Sequence, residues 1–108
     1  MAAASRGAAQ AGGTVVGILP GEDRAHANPW VTVALPTGLG ELRNGLIVRA
    51  AEVMIAVGGS YGTLSEIALG LRADLLVFGL HTWEIDGIEA VASPEEAVER
   101  ALAPAART

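Results

Sequence analysis

The residues with the clearest chemical potential lie in Val57-Gly-Gly-Ser-Tyr-Gly-Thr-Leu-Ser-Glu66, where an apolar run meets glycines, hydroxyls and a carboxylate. Glycines let backbone N–H groups turn toward a ligand without a Cβ clash. A helix starting here adds about half a positive charge at its amino end, and the Ser60 and Thr63 hydroxyls add donors. Such a set fits a phosphate, with Gly58, Gly59, Ser60, Tyr61, Gly62 and Thr63 as the binding residues. A plainer reading stands beside it: Thr63-Leu-Ser-Glu66 is also a capping box, and glycines after a strand are ordinary turn residues. Arg43 and Asn44 follow Thr37-Gly-Leu-Gly40 and, in a parallel sheet, would return to the same crevice edge. An arginine at a helix start is relieved by a ligand anion, but it is equally an ordinary solvated residue. His26 reads as solvated in a polar loop, and it stands too far from His81 for metal-ligand spacing, so no metal site is expected. Trp83 reads as core or subunit contact rather than a ligand-stacking residue.

These residues need a scaffold, and hydrophobic periodicity supplies one. Ala2–Ala11 is built from strong helix formers and stopped by Gly12-Gly13. Thr14–Leu19 is short, apolar and β-branched, which predicts a buried strand, and Trp30–Leu35 predicts a second strand closed by Pro36. Glu41–Ala51 carries Leu42, Leu46, Ile47 and Ala50 at amphipathic helical spacing. Val53–Val57 is apolar throughout, as in a parallel strand covered on both faces. After the glycine loop, Leu64, Ile67, Ala68 and Leu71 predict a helix, and Leu75–Phe78 another buried strand at βαβ crossover distance. A turn over Trp83–Gly87 and an edge strand over Ile88–Val91 precede a last helix. There Ser93 caps, Pro94 takes the first position, Glu96 completes a capping box, and Ala97, Val98, Ala101 and Leu102 face the core, with fraying from Pro104. Alternating helices and buried strands imply an α/β domain with a mainly parallel sheet.

Composition bounds the function. A chain of 108 residues, 51% hydrophobic, has room for one domain over residues 1–108 with one modest core. Seven Arg and no Lys against twelve acids leave a net charge of −5, which disfavours binding to nucleic-acid backbones while leaving room for a local arginine pocket for a small anion. The absence of Cys excludes disulfides, thiolate zinc sites and cysteine nucleophiles. No apolar run reaches the roughly 18 residues of a membrane helix, and the Ala-rich start lacks a signal-peptide core, so a soluble, cytoplasmic chain without a membrane partner is expected.

At the glycine loop the chain resembles the Rossmann-like superfamily of the "Lonely guy" (LOG) phosphoribohydrolases and the molybdenum cofactor carrier proteins. The LOG pattern Pro-Gly-Gly-x-Gly-Thr-x-x-Glu falls on Gly58–Glu66, with Gly59, Gly62, Thr63 and Glu66 matching, Gly58 in place of Pro and Ser60 in place of the second Gly. Arg43 stands where LOG enzymes carry the Arg that works with the motif Glu, but Leu42 replaces the usual Glu before it and that segment's His is missing. Together with Thr37-Gly-Leu-Gly40 and Arg43-Asn44, the pattern is closer to the carrier-like branch. The resemblance implies a Rossmann-like three-layer α/β fold, a phosphate on the motif glycines and Thr63, and a small anionic ligand, either a nucleoside monophosphate or a pterin phosphate such as the molybdenum cofactor. No other cofactor is implied. It leaves two alternatives open. One is hydrolysis of the N-glycosidic bond of a nucleoside 5′-monophosphate, with Arg43 and Glu66 catalytic. The other is a structural module, since relatives commonly form homo-oligomers. It also implies that Met1 falls after the family's first strand–helix–strand, so that the chain reads as the carboxyl-terminal part, roughly two thirds, of the usual domain.

Overall fold

The computed structural model describes residues 1–103, which form two compact units, Met1–Arg43 and Asn44 onward. Every strand pairing is parallel, as the alternating pattern requires. The fold is α/β and Rossmann-like. Instead of one continuous sheet, the hydrogen-bonded strands make a two-stranded sheet in the first unit and a three-stranded sheet in the second.

The first unit holds helix α1 (Ala2–Gln10), strand β1 (Val16–Leu19) and strand β2 (Val33–Pro36), with β1 and β2 aligned Val16 to Val33. Both strands start later than the apolar runs suggest, because side chains take the backbone groups ahead of them. Thr32 Oγ1 accepts from the Val15 N–H at 2.9 Å. Asn28 Oδ1 accepts from the Trp30 N–H at 3.0 Å, and the Val31 N–H goes to the Asn28 carbonyl, so Trp30 and Val31 belong to a turn. Pro36 ends β2 from inside the strand, and the Thr37 N–H then bonds the Leu19 carbonyl. The expected burial of the first strand is not found. No residue of this unit is buried, and Val16 is 53% exposed, since β1 has one strand neighbour and α1 contributes no buried residue.

Helix α2 (Arg43–Ala50) follows a short 3-10 turn over Gly40–Leu42. Its predicted apolar face is also corrected: Leu42 and Leu46 are exposed, and the buried positions are Asn44 and Val48.

The second unit is a three-layer sandwich whose middle sheet has the order β3 (Val53–Val57), β4 (Leu76–Leu80), β5 (Ile88–Ala90). Alternation along the strands sends side chains to opposite faces. Met54, Ala56 and Val77 pack with Ile67 and Leu71 of helix α3 (Tyr61–Arg72) and with Val48. Val53, Ile55, Leu76, Phe78 and Leu80 pack with Ala97 and Ala101 of helix α4 (Pro94–Leu102). Phe78, Ile67 and Val77 are fully buried, and each such side chain contributes about 1.5–3 kcal/mol of transfer free energy. Gly70 allows α3 to lie close to the sheet, since a Cβ there would run into Met54 Sδ.

Helix α4 starts as its sequence requires. Ser93 Oγ accepts from the Glu96 N–H at 3.1 Å, and Glu96 Oε1 accepts from the Ala92 N–H at 2.7 Å. Only its alanines face the core. Val98 and Leu102 are 50% and 65% exposed, contrary to expectation, because the Ala97–Ala101 stripe is the one that fits tightly against Phe78 and Leu80. The expected fraying from Pro104 lies outside the described residues.

Candidate functional site

The candidate site grows from the carboxyl end of β3, where the chain must leave the sheet and start α3. Gly58 makes that exit in a left-handed conformation (φ +84°), available without strain only to glycine. Its N–H reaches the Leu80 carbonyl at 3.3 Å, and its carbonyl accepts from Thr82 Oγ1 at 2.6 Å, so the loops after β3 and β4 are tied together.

Ser60 is the N-cap of α3: its Oγ accepts from the Thr63 N–H at 3.1 Å and lies 2.9 Å from Thr63 Oγ1. The first intrahelical bond runs from the Leu64 N–H to the Ser60 carbonyl, so the amides of Tyr61 and Gly62 have no acceptor inside the helix. The capping-box reading of Thr63–Glu66 is thereby corrected. The helix begins earlier, placing Tyr61, Gly62 and Thr63 in its first turn and half-buried Glu66 on its second. Gly59 has neither a left-handed backbone nor any atom within 4 Å of where a Cβ would stand. No contact within the folded chain requires a glycine there, and the bare backbone faces open space. Oriented amides, a helix amino end and two hydroxyls around such a space are suited to an anion.

An aromatic brace holds this turn. Trp83, half-buried against the α3-side core, donates Nε1–H to the Ser60 carbonyl at 3.1 Å. The Tyr61 ring, 82% exposed, stacks on it with centroids 5.9 Å apart and an interplanar angle of 26°. Trp83 therefore does more than the core or subunit role that the sequence suggests, and Tyr61 presents its ring rather than only its amide. Beside Trp83, a cavity of about 590 Å³ opens at the carboxyl ends of β4 and β5, lined by the segment from His81 to Asp86 and by Ile88. His81 leaves β4 with φ +50°, a conformation uncommon for a residue with a Cβ.

The structure thus brings Gly58, Gly59, Ser60, Tyr61, Gly62, Thr63 and Glu66 together on one strand–turn–helix unit. Arg43 belongs to the first unit, where its Nη1 donates to the Ile18 carbonyl at 2.9 Å. Thr82 and the bracing role of Trp83 were missed from the sequence. Parallel pairing of Val57 with Leu80 sets the residues after β4 beside those after β3, and nothing local to His81–Trp83 announces this.

A family model described as the SLOG cluster4 family matches residues 1–107. The chain belongs to the SLOG cluster4 family. A protein of Archaeoglobus fulgidus, described only as uncharacterized, is 39% identical over 91% of this chain and 65% of its own length. A solved structure, the molybdenum cofactor binding protein from the phototrophic bacterium Rippkaea orientalis, superposes with a TM-score of 0.82 at 34% identity, covering 90% of this chain and 66% of that one. The chain therefore spans slightly under two thirds of both relatives' lengths. Among the described residues no helix is long and apolar enough to cross a membrane.

Proposed function

We propose that this SLOG family chain binds a phosphate-bearing cofactor, with the phosphate seated on Gly58–Thr63, and that the ligand is a pterin phosphate of the molybdenum cofactor type or a nucleoside monophosphate. One observation carries the reading: the first turn of α3 presents the Tyr61 and Gly62 amides without helical acceptors, beside open space at Gly59. A phosphate there meets the positive end of a helix of 12 residues, an interaction of about 0.3–2 kcal/mol, and hydrogen bonds to a charged group that contribute about 1.5–3 kcal/mol each. The Rippkaea relative, which binds the molybdenum cofactor, supports the pterin end of this range.

A bound molybdenum cofactor would supply its metal chemistry, and Gly58–Thr63 would hold and orient its phosphate. The hydrolytic alternative has no comparable support. Of its proposed residues, Arg43 donates to the Ile18 carbonyl within the first unit.

Isothermal titration calorimetry against molybdopterin, guanosine 5′-monophosphate and adenosine 5′-monophosphate, with inorganic phosphate as competitor, tests the reading. Saturable binding weakened by phosphate is expected. Absence of binding by all three at millimolar concentration would refute it.

A further inference from the structure

The cavity beside Trp83 is not used by a phosphate on the α3 turn, although it shares a wall with that turn. Thr82 and Trp83 line the cavity, and the same two side chains bond to the Gly58 and Ser60 carbonyls. It lies at the carboxyl ends of two parallel strands, the edge at which open α/β sheets bind ligands, and its volume falls within the ordinary range of small-molecule sites.

Its lining decides what it can hold. Trp83, Ile85 and Ile88 give it apolar surface, Glu84 and Asp86 give it two carboxylates, and among the described residues no arginine lines it. A second phosphate would be repelled there. A flat, uncharged ring is compatible, provided that it offers hydrogen-bond donors, because an ionised carboxylate only accepts. Among the described residues the side chains of His81, Glu84 and Asp86 are engaged in no hydrogen bond or ion pair, so their bonding capacity is available to a ligand. Gly79 lets the Thr82 and Ile88 side chains of the lining close over β4: a Cβ there would stand 2.7 Å from Thr82 Cγ2 and 2.8 Å from Ile88 Cγ2.

We propose that this cavity seats the ring of the ligand whose phosphate occupies the α3 turn, and that Glu84 and Asp86 select a 2-amino-4-oxopyrimidine ring, as in pterins and guanine, over a 6-aminopurine. The inference rests on the phosphate-binding reading above. A 2-amino-4-oxopyrimidine carries a ring N–H beside its exocyclic amine, two parallel donors that match the two oxygens of one carboxylate. A 6-aminopurine carries its amine beside an unprotonated ring nitrogen, so a carboxylate approaching that edge gains one bond and faces a lone pair with its other oxygen. The discrimination therefore comes from an unmatched polar pair as well as from a gained bond.

The test compares guanosine and adenosine 5′-monophosphates, which share phosphate and ribose, by calorimetry on the wild-type chain and on Glu84→Gln/Asp86→Asn. The wild type is expected to bind the guanine nucleotide about tenfold or more tightly than the adenine nucleotide, the range of a bidentate contact. The double variant is expected to bring the two within about threefold, with adenine nucleotide binding retained because the α3 turn is untouched. Equal binding of both nucleotides by the wild type, lost in Gly59→Ala, would overturn the ring assignment and leave the phosphate turn standing. A guanine preference that survives in the double variant would also overturn it. Failure of both nucleotides to bind at millimolar concentration would overturn the ring assignment, and failure of molybdopterin as well would remove the phosphate reading with it.

Discussion

Replacing Gly59 by alanine separates what the turn does for the fold from what it does for a ligand. The folded chain has room for the added methyl, with nothing within 4 Å of its position and a backbone outside the left-handed region. The unfolded chain loses conformational freedom, so Gly59→Ala is expected to stabilise the protein by about 0.4–1 kcal/mol. For a domain of this size that corresponds to a rise in Tm of roughly 2–8 °C. Ligand binding should move the opposite way. Amide donors reach a phosphate oxygen at about 2.7–3.2 Å, and a methyl projecting into the same open space keeps the phosphate from closing to that distance. Losing a single charge-assisted bond, about 1.5–3 kcal/mol, weakens binding by roughly ten- to hundredfold. Thermal melts and calorimetry with guanosine 5′-monophosphate on both proteins give the two readouts. A variant at least as stable as wild type whose affinity is unchanged within twofold would show that the space in front of Gly59 is not where the phosphate sits.

Ser60→Ala removes the acceptor of the Thr63 N–H and the partner of its hydroxyl, and should cost about 0.5–2 kcal/mol in urea unfolding with a matching loss of nucleotide affinity. Trp83→Phe keeps a ring beside Tyr61 but deletes the bond to the Ser60 carbonyl. A loss of about 0.5–1.5 kcal/mol in denaturant titration is expected, and an unchanged midpoint would show that the brace is idle. Gly70→Ala gains up to about 1 kcal/mol of helix propensity yet forces a methyl against Met54, so a net destabilisation of about 1–2 kcal/mol should appear in thermal melts. His81→Gly relieves the φ +50° conformation and should leave Tm unchanged or raised, whereas His81→Val, with a β-branched side chain, should lower it.

Much of this architecture was legible in linear order because it depends on neighbours in sequence. The unbroken apolar run of Val53–Val57, the glycines that follow and the helical spacing of Ile67 and Leu71 define a strand–turn–helix unit whatever lies around it, and the capping box at Ser93 and Glu96 marks its helix start to the residue. Types and approximate positions of elements followed from local propensity and period, and the phosphate-binding candidates fell on the turn after β3 and the first turn of α3 for the same reason.

Burial was not legible in that way. Leu42, Leu46, Val98 and Leu102 are as apolar as the residues that do reach the core, and only the distance between packed layers selects Ala97 and Ala101 for the tight face while leaving larger side chains outside. The starts of β1 and β2 depended on Thr32 and Asn28 capturing the amides of Val15 and Trp30, a competition invisible to periodicity. The same holds for the site. Val57 and Leu80 are far apart along the chain, and only their pairing in a parallel sheet places Thr82 and Trp83 against the glycine turn and sets the Glu84–Asp86 cavity beside it. Short-range order sets which residues can offer donors, and long-range strand pairing sets which of them share one space.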